Sequence, residues 1–127
     1  ATDVTINTSN GAATLVHASN NISGTLTATL GTGNLSIVNN ASLGLGDIGA
    51  GNATFNVTSS GGTITQNAGN ITVTDLTVTT SNGDVTLTGA DNNISGTLTA
   101  TLGTGNLSIA NNASLGLGDI GAGNAAH

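Results

Sequence analysis

One long block occurs twice in this chain: Asn20 to Ala53 returns 72 positions later as Asn92 to Ala125, with one substitution, Val38 to Ala110. The stretch before it repeats more loosely. Ala1 to Ser19 and Val73 to Asp91 agree at ten places, among them Asp3/Asp75, Thr5/Thr77, the Ser9-Asn10-Gly11/Ser81-Asn82-Gly83 turn and Leu15/Leu87. A chain built from copies of one unit folds by stacking units, because a single copy is too small to bury a core of its own. The sequence therefore divides into a first repeat, 1–72, and a second, partial repeat, 73–127, of one continuous structure.

A finer rhythm lies inside the unit. Gly33-Asn34-Leu35-Ser36-Ile37, Gly51-Asn52-Ala53-Thr54-Phe55 and Gly69-Asn70-Ile71-Thr72-Val73 follow at intervals of 18, which fits four times into 72. Apolar and small polar residues alternate in Val4-Thr5-Ile6, Leu35-Ser36-Ile37, Phe55-Asn56-Val57, Ile71-Thr72-Val73, Leu76-Thr77-Val78 and Val85-Thr86-Leu87. That period of two marks short strands with one buried face. Gly, Asn, Asp and Ser bound them and supply the backbone freedom and local hydrogen bonds of sharp bends. No window reads as helix, since β-branched residues and recurrent Gly oppose it.

Short parallel strands, frequent bends and a stacked repeat predict an all-β fold, a parallel β-helix or β-solenoid. Coils at the 18-fold interval give about seven coils, and a strand spacing of ~4.8 Å makes a rod roughly 30 to 35 Å long. Leu, Ile, Val and Ala are expected inside and Thr and Ser outside. Asn34, Asn52 and Asn70, at matching corners, are expected to form a side-chain amide ladder.

Composition narrows the function. The chain has no Lys or Arg, and its formal charge of −6 comes from six acidic residues, all Asp. No cation is present to neutralise a nucleic acid backbone or anionic lipid. A single aromatic residue, Phe55, leaves no stacking platform for bases or sugars. With 36% hydrophobic residues and a mean hydropathy of +0.19 the chain is apolar enough to fold, yet it contains no apolar run long enough for a membrane span. No Cys is available for disulfides or thiolate chemistry. The start, without Met or a basic region leading into an apolar stretch, is read as a segment of a longer or processed chain.

The string Gly46-Asp47-Ile48-Gly49-Ala50-Gly51-Asn52-Ala53-Thr54, with Ser59-Ser60-Gly61-Gly62-Thr63-Ile64-Thr65-Gln66 and Leu76-Thr77-Val78-Thr79, resembles the repeats of filamentous-haemagglutinin-like exoproteins. That group includes high-molecular-weight adhesins and other large bacterial surface proteins secreted by the two-partner route. The resemblance covers essentially the whole chain. It implies a right-handed β-helix, located extracellularly at a bacterial cell surface.

No catalytic, cofactor-binding or metal site is expected. Lyase chemistry on acidic polysaccharides needs a basic residue that the chain lacks. Hydrolysis needs two carboxylates about 5 to 10 Å apart. Asp75 and Asp84 are candidates for approach across coils, but Asp at a strand end reads first as a turn residue. Asp47 and its repeat copy Asp119 offer one carboxylate each to a calcium ion, fewer than such an ion requires. Asp84 and Asp91 read likewise as turn residues, and His17 and His127 as solvated side chains. Thr-x-Thr pairs occur at Thr25/Thr27, Thr27/Thr29, Thr63/Thr65, Thr72/Thr74, Thr77/Thr79 and Thr86/Thr88; the starts at 63, 72, 77 and 86 are separated by nine, five and nine, so they are not expected to recur at one coil spacing as an ice-binding face would. Ten N-x-S/T sequons, at Asn7, Asn21, Asn34, Asn40, Asn52, Asn56, Asn70, Asn93, Asn106 and Asn112, are available for glycosylation.

The expectation is thus a non-enzymatic structural segment of a bacterial surface fibre or adhesin stalk. Its partners would be neighbouring repeats, or an end-to-end homo-oligomer, and a host or neighbouring cell surface. An ice-binding or carbohydrate-binding module is the alternative.

Overall fold

The computed structural model describes residues 3–17, 19–49, 54–66, 69–89, 92–112 and 115–121. Within them run β1 (Val4–Asn7), β2 (Ala13–Leu15), β3 (Thr25–Thr29), β4 (Leu35–Asn39), β5 (Leu43–Gly49), β6 (Thr54–Ser59) and β7 (Ile64–Gln66). They are followed by β8 (Ile71–Val73), β9 (Asp75–Thr80), β10 (Val85–Leu87), β11 (Asn93–Ile94), β12 (Thr97–Thr101), β13 (Leu107–Ile109) and β14 (Gly116–Gly121). No helix occurs among the described residues.

The chain winds between two parallel sheets. The first has the order β1-β3-β5-β7-β10-β13, with β8 pairing both β5 and β11; the second has the order β2-β4-β6-β9-β12-β14. Every pairing is parallel, and each strand hydrogen-bonds to the strand one turn away. This is a β-solenoid of about 5 turns.

The turns are longer than the 18-fold rhythm. Leu26 pairs with Leu45 and Ile48 with Ile71, so one turn advances the numbering by as little as 19 and as much as 23. Hence the count is about 5 turns in place of the expected seven. The Gly-Asn rhythm marks recurring strand starts, whereas the length of a turn depends on how many residues each corner absorbs.

Alternation decides which side chains enter the core. Leu35, Phe55, Leu76 and Leu98 form one inward column in the second sheet, and Ile37, Val57, Val78 and Ala100 form the next. All eight are at most 1% exposed. In the first sheet Leu26, Leu45, Ile64 and Val85 face them, also buried. Each such large aliphatic side chain contributes ~1.5–3 kcal/mol on burial. The boundary between positions 72 and 73 falls inside β8, and both sheets run through it.

The shift of 72 has a geometric meaning. β3 and β12 have the same sequence, Thr-Leu-Thr-Ala-Thr, but β3 lies in the first sheet and β12 in the second. Likewise β5 belongs to the first sheet and β14, its copy, to the second. The repeat therefore spans an odd number of half-turns, and identical sequences sit on opposite sides of the rod. Local geometry is still reproduced. The β3–β5 register slips between Leu26 and Ala28, and the β12–β14 register slips at the equivalent Leu98 and Ala100. In both copies the longer side of the slip is a Gly-Asp pair, a bulge that bends the strand.

Candidate functional site

Corner side chains spend their polar atoms on the adjacent turn. Asp3 Oδ1 accepts the Thr25 N–H at 2.8 Å and Asp75 Oδ1 accepts the Thr97 N–H at 2.9 Å, the same bond in both repeats. Asn10 and Asn82 accept from Thr32 and Thr104 in the same way, at 3.1 Å each. Asn34 accepts from Thr54, Asp47 from Asn70 and Asp84 from Asn106. These carboxylates and amides occupy backbone donors that no strand pairing satisfies at the bends.

Asp47, expected in a turn, lies in the bulge of β5 and holds the Asn70 N–H at 2.8 Å beside Gly69, whose φ of 73° lies in the left-handed region. Asp119 belongs to β14 at the equivalent bulge. Asp75 and Asp84 do not approach one another: Asp75 opens β9 and Asp84 follows its far end, about 16 Å of strand away at ~3.3 Å per residue. His17 is exposed, and its Nδ1 accepts the Ser19 N–H at 3.2 Å. No group of three or more His, Cys, Asp or Glu is close enough to hold a metal ion among the described residues. Asp91, Asn52 and His127 lie outside the described residues.

The expected Asn34, Asn52 and Asn70 ladder is replaced by another arrangement. The position stacked on Asn34 is Thr54, and Asn70 stacks on Asp47, because turns that advance the numbering by 19 to 23 carry an 18-fold rhythm out of register. Sequence reasoning missed a different amide system, which is buried. Asn39, fully buried, accepts the Ile22 N–H at 2.7 Å and donates through Nδ2 to the carbonyls of Ile22 and Ala41. Asn111 repeats the clasp on Ile94, at 2.7 and 3.0 Å. Asn92, also fully buried, exchanges two 2.8 Å hydrogen bonds with Gln66 and accepts the Ile71 N–H at 2.9 Å. Among the described residues no buried side-chain polar atom is left without a partner. The available signal is an Asn that recurs 72 positions on, at an inward place of an alternating strand.

The outer face of the second sheet corrects the expectation about threonine. Asn56 aligns with Thr77 and Thr58 with Thr79, while Thr77 aligns with Thr99 and Thr79 with Thr101. With Thr54, Asp75 and Thr97 at the strand starts, these residues form a three-by-three grid in which seven positions are Thr. Its steps are about 4.8 Å between turns and about 6.7 Å along a strand. The step of 22 from Thr77 to Thr99 is invisible when pairs are compared at a coil length of 18. Nine of the ten sequon asparagines are among the described residues, and all nine are exposed.

Two continuous parallel sheets, corner hydrogen bonds between turns and a duplicated block define a solenoid repeat protein. Residues 32–101 match the family described as Repeats of unknown function (DUF5649), and the chain belongs to that family. No curated protein and no solved structure gives a significant match.

Proposed function

We propose that this chain is a structural segment of an extracellular bacterial surface fibre or adhesin stalk, in which the solenoid supplies length and contact rather than turnover. The observation that carries this reading is the running of both sheets through the repeat boundary, with each corner bonded to the next turn. A rod built in this way is extended by duplication without a change in packing. Right-handed winding accords with the strong preference of parallel crossovers, and the filamentous-haemagglutinin-like resemblance supports the surface location. The polar groups of the corner Asp and Asn side chains are committed to backbone donors, which fits a scaffold better than an enzyme. Exposed sequons are compatible with glycosylation of a surface rod.

Antibody raised against the chain, applied to intact producer cells and viewed by electron microscopy, tests the reading. Labelled rods projecting from unbroken cells are expected. Labelling that requires lysis would overturn it.

The threonine grid favours a second reading, an ice-binding or carbohydrate-binding face. A flat array of hydroxyls and methyl groups on a rigid sheet can order a water layer or lie on a crystalline polymer. Thermal hysteresis in a solution of the purified chain, lost in Thr77→Lys and Thr99→Lys, would establish ice binding. Its absence together with no retention on insoluble polysaccharide would remove this reading.

A further inference from the structure

We propose that the outer face of the second sheet binds ice, through an axial column of methyl groups lying beside an axial column of polar groups. This deepens the second reading above, rests on it, and commits it to ice rather than carbohydrate.

The first observation is that the array runs beyond the threonine grid as two columns of different chemistry. Val38 aligns with Thr58, Thr58 with Thr79 and Thr79 with Thr101, so successive turns present a γ-methyl at one position. Beside it Thr14 aligns with Ser36, Ser36 with Asn56, Asn56 with Thr77 and Thr77 with Thr99, a run of small polar side chains. None of these residues is buried, and the buried Ile37, Val57, Val78 and Ala100 between the columns hold them outward. Ser36, Val38, Asn56 and Thr58 line a shallow depression of about 220 Å³, large enough for several waters.

The second observation is where the duplicated blocks differ. Their one substitution replaces Val38, in the methyl column, by Ala110, which follows β13 in the first sheet. The outward columns of that sheet are interrupted by glycine, since Thr25 aligns with Gly44 and Thr29 with Gly49. β3 therefore has the sequence of β12 without the array that β12 completes. The γ-methyl is kept on the face that carries the column.

Chemistry and spacing together select the ligand. The two columns carry no charge; the one acid of the grid, Asp75, stands at its edge with Oδ1 taken by the Thr97 N–H. The chain has no Lys or Arg, and its one aromatic residue, Phe55, is fully buried, so a sugar ring finds nothing to stack on and an anionic polymer no cation. Water bonded tetrahedrally at an O···O distance of about 2.75 Å has second neighbours roughly 4.5 Å apart. That is close to the step of about 4.8 Å from turn to turn. Water against a methyl is restricted in orientation, and a neighbouring hydroxyl, both donor and acceptor, ties that water to the protein. Repeated along the columns, these contacts hold a water layer in step with an ice lattice.

Thermal hysteresis of the purified chain and its uptake into a slowly grown ice crystal test the proposal, alongside retention on microcrystalline cellulose and on chitin. Hysteresis and uptake without retention on either polymer are expected. Thr101→Lys and Thr29→Lys change the same exposed position of two identical strands on opposite faces; the first should abolish hysteresis and the second should leave it at the wild-type value. Replacing Thr79 and Thr101 together by Ser removes methyls and keeps hydroxyls, and should lose most of the hysteresis. Replacing both by Val keeps the methyls and should retain it. Circular dichroism reports whether each variant is folded, and the Ser and Val pairs carry the test if a lysine unfolds the rod. A wild-type chain with neither hysteresis nor uptake overturns the proposal, as does hysteresis that survives in folded Thr101→Lys or is undiminished in the Ser pair. Retention on cellulose or chitin without ice activity overturns the choice of ice and leaves the second reading standing as carbohydrate binding, whereas binding to neither removes both.

Discussion

Asn92 and Gln66 face each other across one turn with both amides reciprocally bonded: Asn92 Nδ2 donates to Gln66 Oε1 and Gln66 Nε2 donates to Asn92 Oδ1, each at 2.8 Å. The pair also closes the backbone around it. Gln66 Oε1 accepts the Gly89 N–H, and Asn92 Oδ1 accepts the Ile71 N–H. It stands where the first sheet divides between β7 and β8, and so replaces strand pairing that the gap interrupts.

Asn92→Ala is therefore expected to destabilise the chain by about 2–4 kcal/mol, because it removes both amide–amide hydrogen bonds to Gln66 and leaves the buried Ile71 N–H without its acceptor. The repeat copy, Asn20, is only half-buried and donates to Leu15 and Val38 carbonyls, so Asn20→Ala should cost less. A double-mutant cycle with Gln66→Ala, measured by urea unfolding, should give a coupling of about 1 kcal/mol or more. Additivity would show that the two amides act independently.

Leu45 and Leu117 offer the same substitution in the same local sequence with opposite burial, 0% against 64% exposed. Leu45→Ala should cost about 2–5 kcal/mol through loss of apolar burial and the cavity left behind. Leu117→Ala should shift stability by less than about 0.5 kcal/mol in dilute, unassociated protein. Chemical denaturation of the two variants compares them directly, and equal losses would contradict the end position of β14.

Gly83 sits at a corner where a Cβ would run into the Gly62 carbonyl of the turn before, and its own carbonyl is approached in the same way by Gly105. Three backbones stack there without room for a side chain. Gly83→Ala should destabilise by about 1–3 kcal/mol and lower the thermal midpoint, since only backbone displacement relieves the contact. A neutral effect in a thermal melt would mean that the corners yield freely.

Asn39→Asp replaces two hydrogen bonds donated by Nδ2 with acceptor oxygens facing the carbonyls of Ile22 and Ala41. Burial of the new carboxylate beside two carbonyls should cost at least about 3 kcal/mol at neutral pH. Protonation restores a donor, so stability relative to wild type should recover as the pH falls. A pH series of urea midpoints for the two proteins checks the direction.

Much of the fold is legible in local sequence. The triplets at Val4, Leu35, Phe55, Ile71, Leu76 and Val85 all form strands with the apolar residues inward, because a period of two maps directly onto the two faces of a strand. Asp84 lies between β9 and β10, as a short acidic side chain between strands suggests, whereas Asp47 falls in the bulge of β5 and Asp75 opens β9; all three accept a backbone N–H of the adjacent turn. Stacking is not legible in the same way. The sequence rhythm aligns Asn34 with Asn70, but in space Asn34 meets Thr54; the alignment of Thr77 with Thr99 is hidden for the same reason, since corner lengths vary from turn to turn.

The sequence alone determined that the chain forms short alternating strands joined at sharp bends and that the pattern returns after 72 positions. Only the tertiary structure decided how those strands stack: turns of unequal length, from the Leu26–Leu45 step to the longer Ile48–Ile71 step, and repeat copies such as Leu26 and Leu98 buried in opposite sheets. The physical reason is that both sheets offer a strand the same environment, an apolar interior on one side, solvent on the other and a parallel neighbour above and below. A duplicated segment is therefore stable on either side of the rod, and the residues absorbed at each corner choose which side it takes.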